Sequence, residues 1–459
     1  MRRPLPSALL AATLLTSSMP AIAQESTDVA EMRAEIARLR AQLQALEARL
    51  GKVETSAAAP TSARASAPGA APPAQVAAAA PAAETSIVWK GAPQFSNGKG
   101  LTFKPRGRLQ LDTDVVTRPD GINGQTLGRA ADVRRAFLGV EGTLGGGLGY
   151  RLEADFANGV TFTDTWLTYT TGPLTITLGN HKTFASLDEQ TSDLETSLLE
   201  RAAFTQAFGF ERRLGLSATY ARGDIMASVG AFSDDPETQG GALTDDSYSF
   251  DGRAIYMPRV AGTQLHFAGS LHYRALQDLT NTVRYRARPG ARTTEFRFVD
   301  TGMFSAVSET GYGIEFAAIR GPFHVAAEGF WQQVDRPGNL PTPTFFGGYG
   351  EIGYIFAGGK TRSYSRGAFG SIKPTRGLDN GGSGAWQINV RYDWLDLNDK
   401  GVVGGKQRTL GTSLVWVPIE HVKFLADYLH LNMYDTPILA GGRSDYDADV
   451  VGLRAQYDF

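Results

Sequence analysis

The sequence predicts an all-β protein, a 16-stranded antiparallel transmembrane β-barrel over residues 87–459, preceded by a short N-terminal coiled-coil helix. Three observations predict it. Residues 87–459 break into alternating apolar and polar segments, commonly about ten residues or longer, as a tilted bilayer-crossing strand requires. Aromatics such as Trp386, Trp394, Trp416 and Phe459 sit near segment ends on the apolar face, as at a membrane interface. Outside the first twenty-odd positions there is no apolar run of about 18 residues, so a membrane-spanning helix is not expected in the mature chain.

Taken in order, residues 1–23 read as a signal peptide. Arg2 and Arg3 form a positive start, residues 5–19 an apolar stretch, and Ala21-Ile22-Ala23 a small-x-small cleavage site, so the mature chain begins at Gln24. Residues 24–54 carry a heptad seam of Val29, Met32, Ile36, Leu39, Leu43, Leu46, Leu50 and Val53, which predicts a coiled coil in the periplasm. The Ala/Pro-rich stretch 55–86 cannot bury a core and reads as a linker.

Within 87–459 the alternation is plain. Val451, Leu453, Ala455, Tyr457 and Phe459 oppose Gly452, Arg454, Gln456 and Asp458. Trp386, Ile388, Val390, Tyr392 and Trp394 oppose Gln387, Asn389, Arg391 and Asp393. Such strands have one greasy and one wet face, and in lipid only a closed barrel leaves no backbone edge unpaired. Segments begin near 101, 133, 148, 161, 173, 209, 224, 247, 263, 309, 322, 345, 385, 407, 420 and 446. An even count puts both barrel ends in the periplasm. Short turns such as Gly145-Gly146-Gly147 and Arg320-Gly321-Pro322 fall there, and long insertions at 183–208, 278–308 and 433–445 become external loops. The long stretch 358–384 is an exception on the turn side.

The composition narrows the chemistry. Cys is absent, which removes disulfides and thiolates, and the formal charge of -2 gives no global pull on nucleic acid. No metal spacing or phosphate-cradling Gly loop is present, so no cofactor is expected. The nearest nucleophile pair, His181 with Ser186, has no supporting motif, and the chain does not read as an enzyme.

Arg284, Arg286 and Arg288, followed by Arg292 and Arg297, are the strongest local signal. Arginines at steps of two share one side of an extended segment and must face water or an anion, whose oxygens the guanidinium fork suits. A solvated basic loop, drawn to lipopolysaccharide phosphates, is the plain alternative.

The stretch Arg134-Arg135-Ala136-Phe137-Leu138-Gly139-Val140-Glu141-Gly142 with Tyr150-Arg151-Leu152-Glu153-Ala154-Asp155-Phe156 resembles the phosphate-selective porin O/P family. So do Asp164-Thr165-Trp166-Leu167-Thr168-Tyr169, Leu178-Gly179-Asn180-His181-Lys182 and Leu199-Glu200-Arg201. The resemblance covers residues 95–459 and implies a homotrimeric channel in the bacterial outer membrane with an inward-folded third loop. It implies an arginine ladder on the fifth loop, and Arg134, Arg135, Asp164 and Lys182 at a constriction. A terminal Phe459 resembles the signal read by the barrel assembly machinery. Strict alternation puts Arg135 inside with Glu141 and leaves Arg134 facing lipid, unless it lies at the rim, beside a bulge or against the folded loop.

The expected function is passive diffusion of small anions, with inorganic phosphate or polyphosphate leading. A general or differently selective porin, or an envelope tether using the coiled coil, is the alternative. Two features complicate phosphate. Beyond residue 84 there are 37 basic and 40 acidic residues, and the third loop holds Asp188, Glu189, Asp193, Glu195 and Glu200 against Arg201 alone. A second basic group, Lys360, Arg362, Arg366, Lys373 and Arg376 with Lys99, Lys104 and Arg106, is expected to line either a periplasmic exit or a solvated loop.

Overall fold

A strand with one apolar and one polar side is stable only where the two sides meet different surroundings. The computed structural model, which describes residues 85–123, 126–233, 247–277 and 281–459, meets that demand by closing a sheet on itself. Sixteen strands do so: β1 (Leu101–Val116), β2 (Gly128–Gly145), β3 (Leu148–Asp155), β4 (Thr161–Thr171), β5 (Leu174–Lys182), β6 (Arg212–Arg222), β7 (Ile225–Ser233) and β8 (Tyr248–Tyr256), then β9 (Thr263–Ala275), β10 (Ser308–Arg320), β11 (Phe323–Asp335), β12 (Thr344–Ala357), β13 (Ala385–Asp399), β14 (Val402–Ile419), β15 (Val422–Tyr434) and β16 (Tyr446–Asp458). Each pairs antiparallel with the next, and β16 returns to β1 from Val450↔Val116 to Asp458↔Arg108. Short strands at Ser86–Trp89, Pro93–Ser96 and Arg259–Val260 extend the same sheet. Every strand starts within five residues of its expected position. The signal peptide, the coiled-coil seam and almost all of the linker lie outside the described residues.

The barrel is inside-out relative to a soluble domain. Outward Leu271, Ile314 and Val229 are 66%, 61% and 62% exposed, while inward Arg253, Glu315 and Asp251 are buried. Aromatics gather at both rims of the apolar belt. Trp386 and Trp416 stack at 5.1 Å and Trp416 meets Phe424 at 5.4 Å on one rim. Trp331, Phe346 and Trp394 contact at 5.0 and 5.6 Å on the other.

The seam closes on the last residue. Phe459 N donates to Gly107 O at 3.0 Å and Gly107 N donates to Phe459 O at 3.2 Å. A Cβ at Gly107 would lie 2.4 Å from Phe459 Cζ. Gly107→Val should therefore cost about 1–3 kcal/mol of overpacking at the seam. The check is a lower temperature for conversion of the folded to the unfolded band in a heating series.

Connections at one rim are mostly tight turns; those at the other include the long third loop L3 (183–211) and fifth loop L5 (276–307). Both fold into the lumen. L3 carries a short helix, Ala203–Ala207, and its Phe204, Phe208 and Phe210 pack on Phe330 and neighbouring β11–β13 residues. L5 lays Phe298 and Ala291 beside Leu429, Leu431 and Met433 of β15. A lumen filled only with water is thus not what the sequence folds into. An apolar core occupies the side under β11–β16, and open space is pushed towards β1–β6.

The exceptional turn-side segment also turns inward, which its composition did not announce. Gly359–Ser365 and Ala368–Pro374 form a hairpin whose two central residues, Arg366 and Gly367, have φ of 50° and 72°. Two left-handed residues are what a two-residue type I′ turn requires. Its tip reaches β8, where Arg253 Nη2 donates to Gly367 O at 3.1 Å.

Candidate functional site

Space, charge and loop anchoring converge along β1–β6. A cavity of about 1150 Å³ lies there, bounded by L3 and L5, and fourteen Arg or Lys side chains line it against eight carboxylates. That excess occurs in a chain of net charge -2, so it arises from placement.

The acidic third loop is the first element to account for. Its carboxylates do not line the wall as free charges, because Glu189, Asp193 and Glu200 are each consumed by basic partners. Glu200 accepts from Arg134 Nε at 2.7 Å and Nη2 at 3.2 Å, and from Arg454 Nη2 at 3.3 Å. Asp193 pairs with Arg108 and, at 2.6 Å, with Arg135 Nε. Glu189 holds Lys182 at 3.1 Å and Arg201 at 2.9 Å. Burial opposes ionisation of Glu200 and Asp193, but the guanidinium groups outweigh it, Arg134 for Glu200 and Arg108 for Asp193. Both carboxyls stay well below the usual carboxylate range. Asp188 and Glu195, which lack such pairing, are pushed up by burial.

Two bulges explain side chains that strict alternation misplaces. Between Gln110↔Arg135 and Leu111↔Val133 the register shifts, and Arg134 is the extra residue. A bulge lets two consecutive side chains share a face. Arg134 therefore turns inward beside Arg135, against the folded loop, and the lipid-facing position given by strict alternation is avoided. A second shift between Leu152 and Ala154 brings Asp164 in beside Thr163. Asp164 then takes Arg212 Nε at 2.7 Å and Arg151 Nη1 at 3.1 Å. Lys182, at the end of β5, lies on the cavity side, held by Glu189.

On L5 the steps of two acquire a physical cause. Tyr285 and Ala287 are buried in the apolar core, so Arg284, Arg286 and Arg288 project the opposite way, into the cavity. Arg284 pairs with Asp300 at 2.5 Å. Arg288, Arg292 and Arg297 all reach Glu295, at 2.5, 3.0 and 3.4 Å. Arg286 is exposed and makes no ion pair with any described residue. Arg292 sits beside the cavity rather than in its wall.

The second basic group is scattered. Lys360 is exposed, and Lys373 pairs with Glu420 at 3.1 Å. Arg362 is buried under L3, donating to Ser197 Oγ at 2.9 Å. Neither Lys360 nor Lys373 borders the large cavity, whereas Arg106 does, paired with Glu141 at 2.5 Å and Glu153 at 2.8 Å. Reading by motif missed Arg108, Arg151, Arg212 and Arg274, all cavity-lining. Inward parity could have found Arg151, because Glu141, already placed inside, and Arg151 oppose each other across β2 and β3. His181 and Ser186 have separate structural partners. His181 Nε2 meets Ser217 Oγ at 3.2 Å, and Ser186 Oγ accepts from Glu189 N at 3.2 Å.

Comparison with known proteins adds the following. Residues 103–459 match the family model described as phosphate-selective porin O and P. An uncharacterized protein of Caulobacter vibrioides is 44% identical over 472 residues, covering 98% of this chain and 95% of that one. Porin O of Pseudomonas aeruginosa is 28% identical over 407 residues, covering 79% of this chain and 89% of its own. An anion-selective porin from Comamonas acidovorans superposes with a TM-score of 0.51 at 13% identity, over 78% of this chain and 99% of that chain, a likeness of fold.

Proposed function

Because the chain belongs to the phosphate-selective porin O and P family and is an outer-membrane porin, we propose that it passes small anions passively, with inorganic phosphate as the leading cargo. What carries the reading is the excess of guanidinium and ammonium groups around one cavity, with Arg286 unpaired at its loop side. In this reading the long loops are external and the turn rim, with the N-terminal segment, is periplasmic. Anions gather at Arg284, Arg286 and Arg288, pass between L3 and the β1–β6 wall, and leave at the turn rim near Arg106. Conduction needs escape as well as entry. Arg134, Arg135 and Lys182 are already neutralised by L3 carboxylates. They attract a passing anion without trapping it. The same pairing favours modest phosphate preference over tight binding, and the chain would then serve as a general anion porin. A homotrimer, delivery by the barrel assembly machinery through Phe459, and contact with lipopolysaccharide belong to the same proposal.

Planar-bilayer recording tests it. In asymmetric potassium chloride the reversal potential should indicate anion preference, and added phosphate should reduce the chloride current. Arg286→Gln removes a charge that makes no ion pair with a described residue and keeps the backbone pairing with Asp300. It should move the reversal potential towards zero and raise the half-blocking phosphate concentration about three- to tenfold. A cation-selective wild type would end the anion reading.

A further inference from the structure

Glu295 is the feature of the cavity mouth that anion passage alone does not explain. Three guanidinium groups converge on this one carboxylate. Oε1 accepts from Arg288 Nη2 at 2.5 Å and from Arg292 Nη1 at 3.0 Å, and Oε2 accepts from Arg297 Nη2 at 3.4 Å. Arg288 and Arg297 are also fixed by backbone oxygens, Thr294 O at 3.3 Å and Phe296 O at 3.2 Å. Arg288 N is tied to L3 through Gln206 Oε1 at 3.1 Å. Arg288 and Arg297 are therefore held in place independently of the carboxylate, whereas Arg292 is held by Glu295. The Glu295 side chain is 65% exposed. The cluster is also short of negative charge: burial, then Arg288, pushes the Arg297 guanidinium down to about 10.

We infer that Glu295 is a built-in competitor for the transported anion, occupying the position that an incoming tetrahedral dianion such as hydrogen phosphate takes when the carboxylate swings out. The inference rests on the anion-porin reading and deepens it. The carboxylate itself is exposed, so water replaces much of what it loses on swinging out, while the more buried Arg288 and Arg297 stay in place to receive the anion. A dianion brings twice the charge and three oxygens to the same three forks, which favours exchange. The competitor also explains how a mouth so rich in arginine releases what it binds.

The test uses the full-length protein in phosphatidylcholine bilayers free of lipopolysaccharide, with phosphate titrated into the loop-side chamber. Glu295→Gln removes the competing charge and keeps the shape. It should lower the half-blocking phosphate concentration about three- to tenfold. Glu295→Asp, which shortens the reach, should fall between that variant and wild type. An unchanged or raised half-blocking concentration in Glu295→Gln, with wild type anion-selective and Arg286→Gln weakened, overturns the inference and leaves the porin reading standing. A cation-selective wild type removes the reading itself. An effect seen only after lipopolysaccharide is added would assign these arginines to lipid headgroups and overturn the competitor role.

Discussion

Neutralising Asp193 and Glu200 together, as Asp193→Asn with Glu200→Gln, is expected to deepen anion block more than tenfold and to make the barrel markedly less heat-stable. The two carboxylates fix the middle of L3 to three separate strands: Arg108 on β1, Arg134 and Arg135 on β2, and Arg454 on β16. Breaking a buried pair by removing one partner costs about 3–5 kcal/mol, because the remaining charge is left uncompensated. Here the cavity admits water and ions to the abandoned arginines, so the loss falls below the sum for two pairs. L3 keeps other anchors, including Glu328 accepting from Leu187 N at 2.8 Å and Asp427 from Leu199 N at 3.0 Å. The sixteen-strand ladder is untouched. The variant should therefore still form a barrel, with guanidinium groups newly available to sulfate, a dianion across the working pH range. Acidification does not reproduce the variant. Both carboxyls are held well below the ordinary range in the folded protein. Their stabilisation is complete above that range and is lost only as pH falls through the depressed values. Sulfate block of wild type at pH 5 should thus match that at pH 7. A wild type that shifts towards the variant at pH 5 would mean that these pairs are weak.

What the sequence made legible, and what it did not, divides along the range of the forces involved. Strand count and order were readable because a barrel in lipid imposes period-two alternation on each strand locally. Val451 to Phe459 announces its face without reference to any other segment. Arg284, Arg286 and Arg288 were readable for the same reason, since Tyr285 and Ala287 between them carry the opposite preference. Arg134 was only half readable. Its inward turn depends on one extra residue in β2 relative to β1, which is a property of pairing and leaves no mark on either strand alone. The fate of the acidic third loop was not readable at all. Whether Asp193 and Glu200 repel anions or tether a loop depends on which arginines lie across the lumen, 58 or more positions away for every one of their partners. Arg454 illustrates the point, because it meets Glu200 only when the last strand has closed the cylinder.

Excising the turn-side hairpin, by joining Gly358 directly to Thr375, should raise single-channel conductance about twofold or more while leaving anion preference intact, because it opens a second exit beside the one along β1–β6, away from the charges at the other mouth. The excision is geometrically mild. Thr375 N already donates to Gly358 O at 2.7 Å, so the base of the hairpin is closed before the hairpin begins. What it removes is a strut across the rim. Arg362 lies over the Phe369 ring at 4.2 Å and binds L3 through Ser197, and Tyr364 is hydrogen-bonded to His266 of β9 at 2.5 Å. A smaller change should reproduce part of the effect. Gly367 has φ of 72°, and a Cβ there would lie 2.3 Å from Ile255 Cδ1. Gly367→Val combines left-handed strain of about 1–2 kcal/mol with that clash and should free the tip without shortening the chain. Selectivity should survive in both variants because the L5 arginines lie beyond L3 from the hairpin and share no described partner with it. If conductance rises and the reversal potential holds, the hairpin throttles flow and L5 chooses the ion. If conductance is unchanged, ions leave beside the hairpin, along β1–β6, and its work is to brace L3 from below.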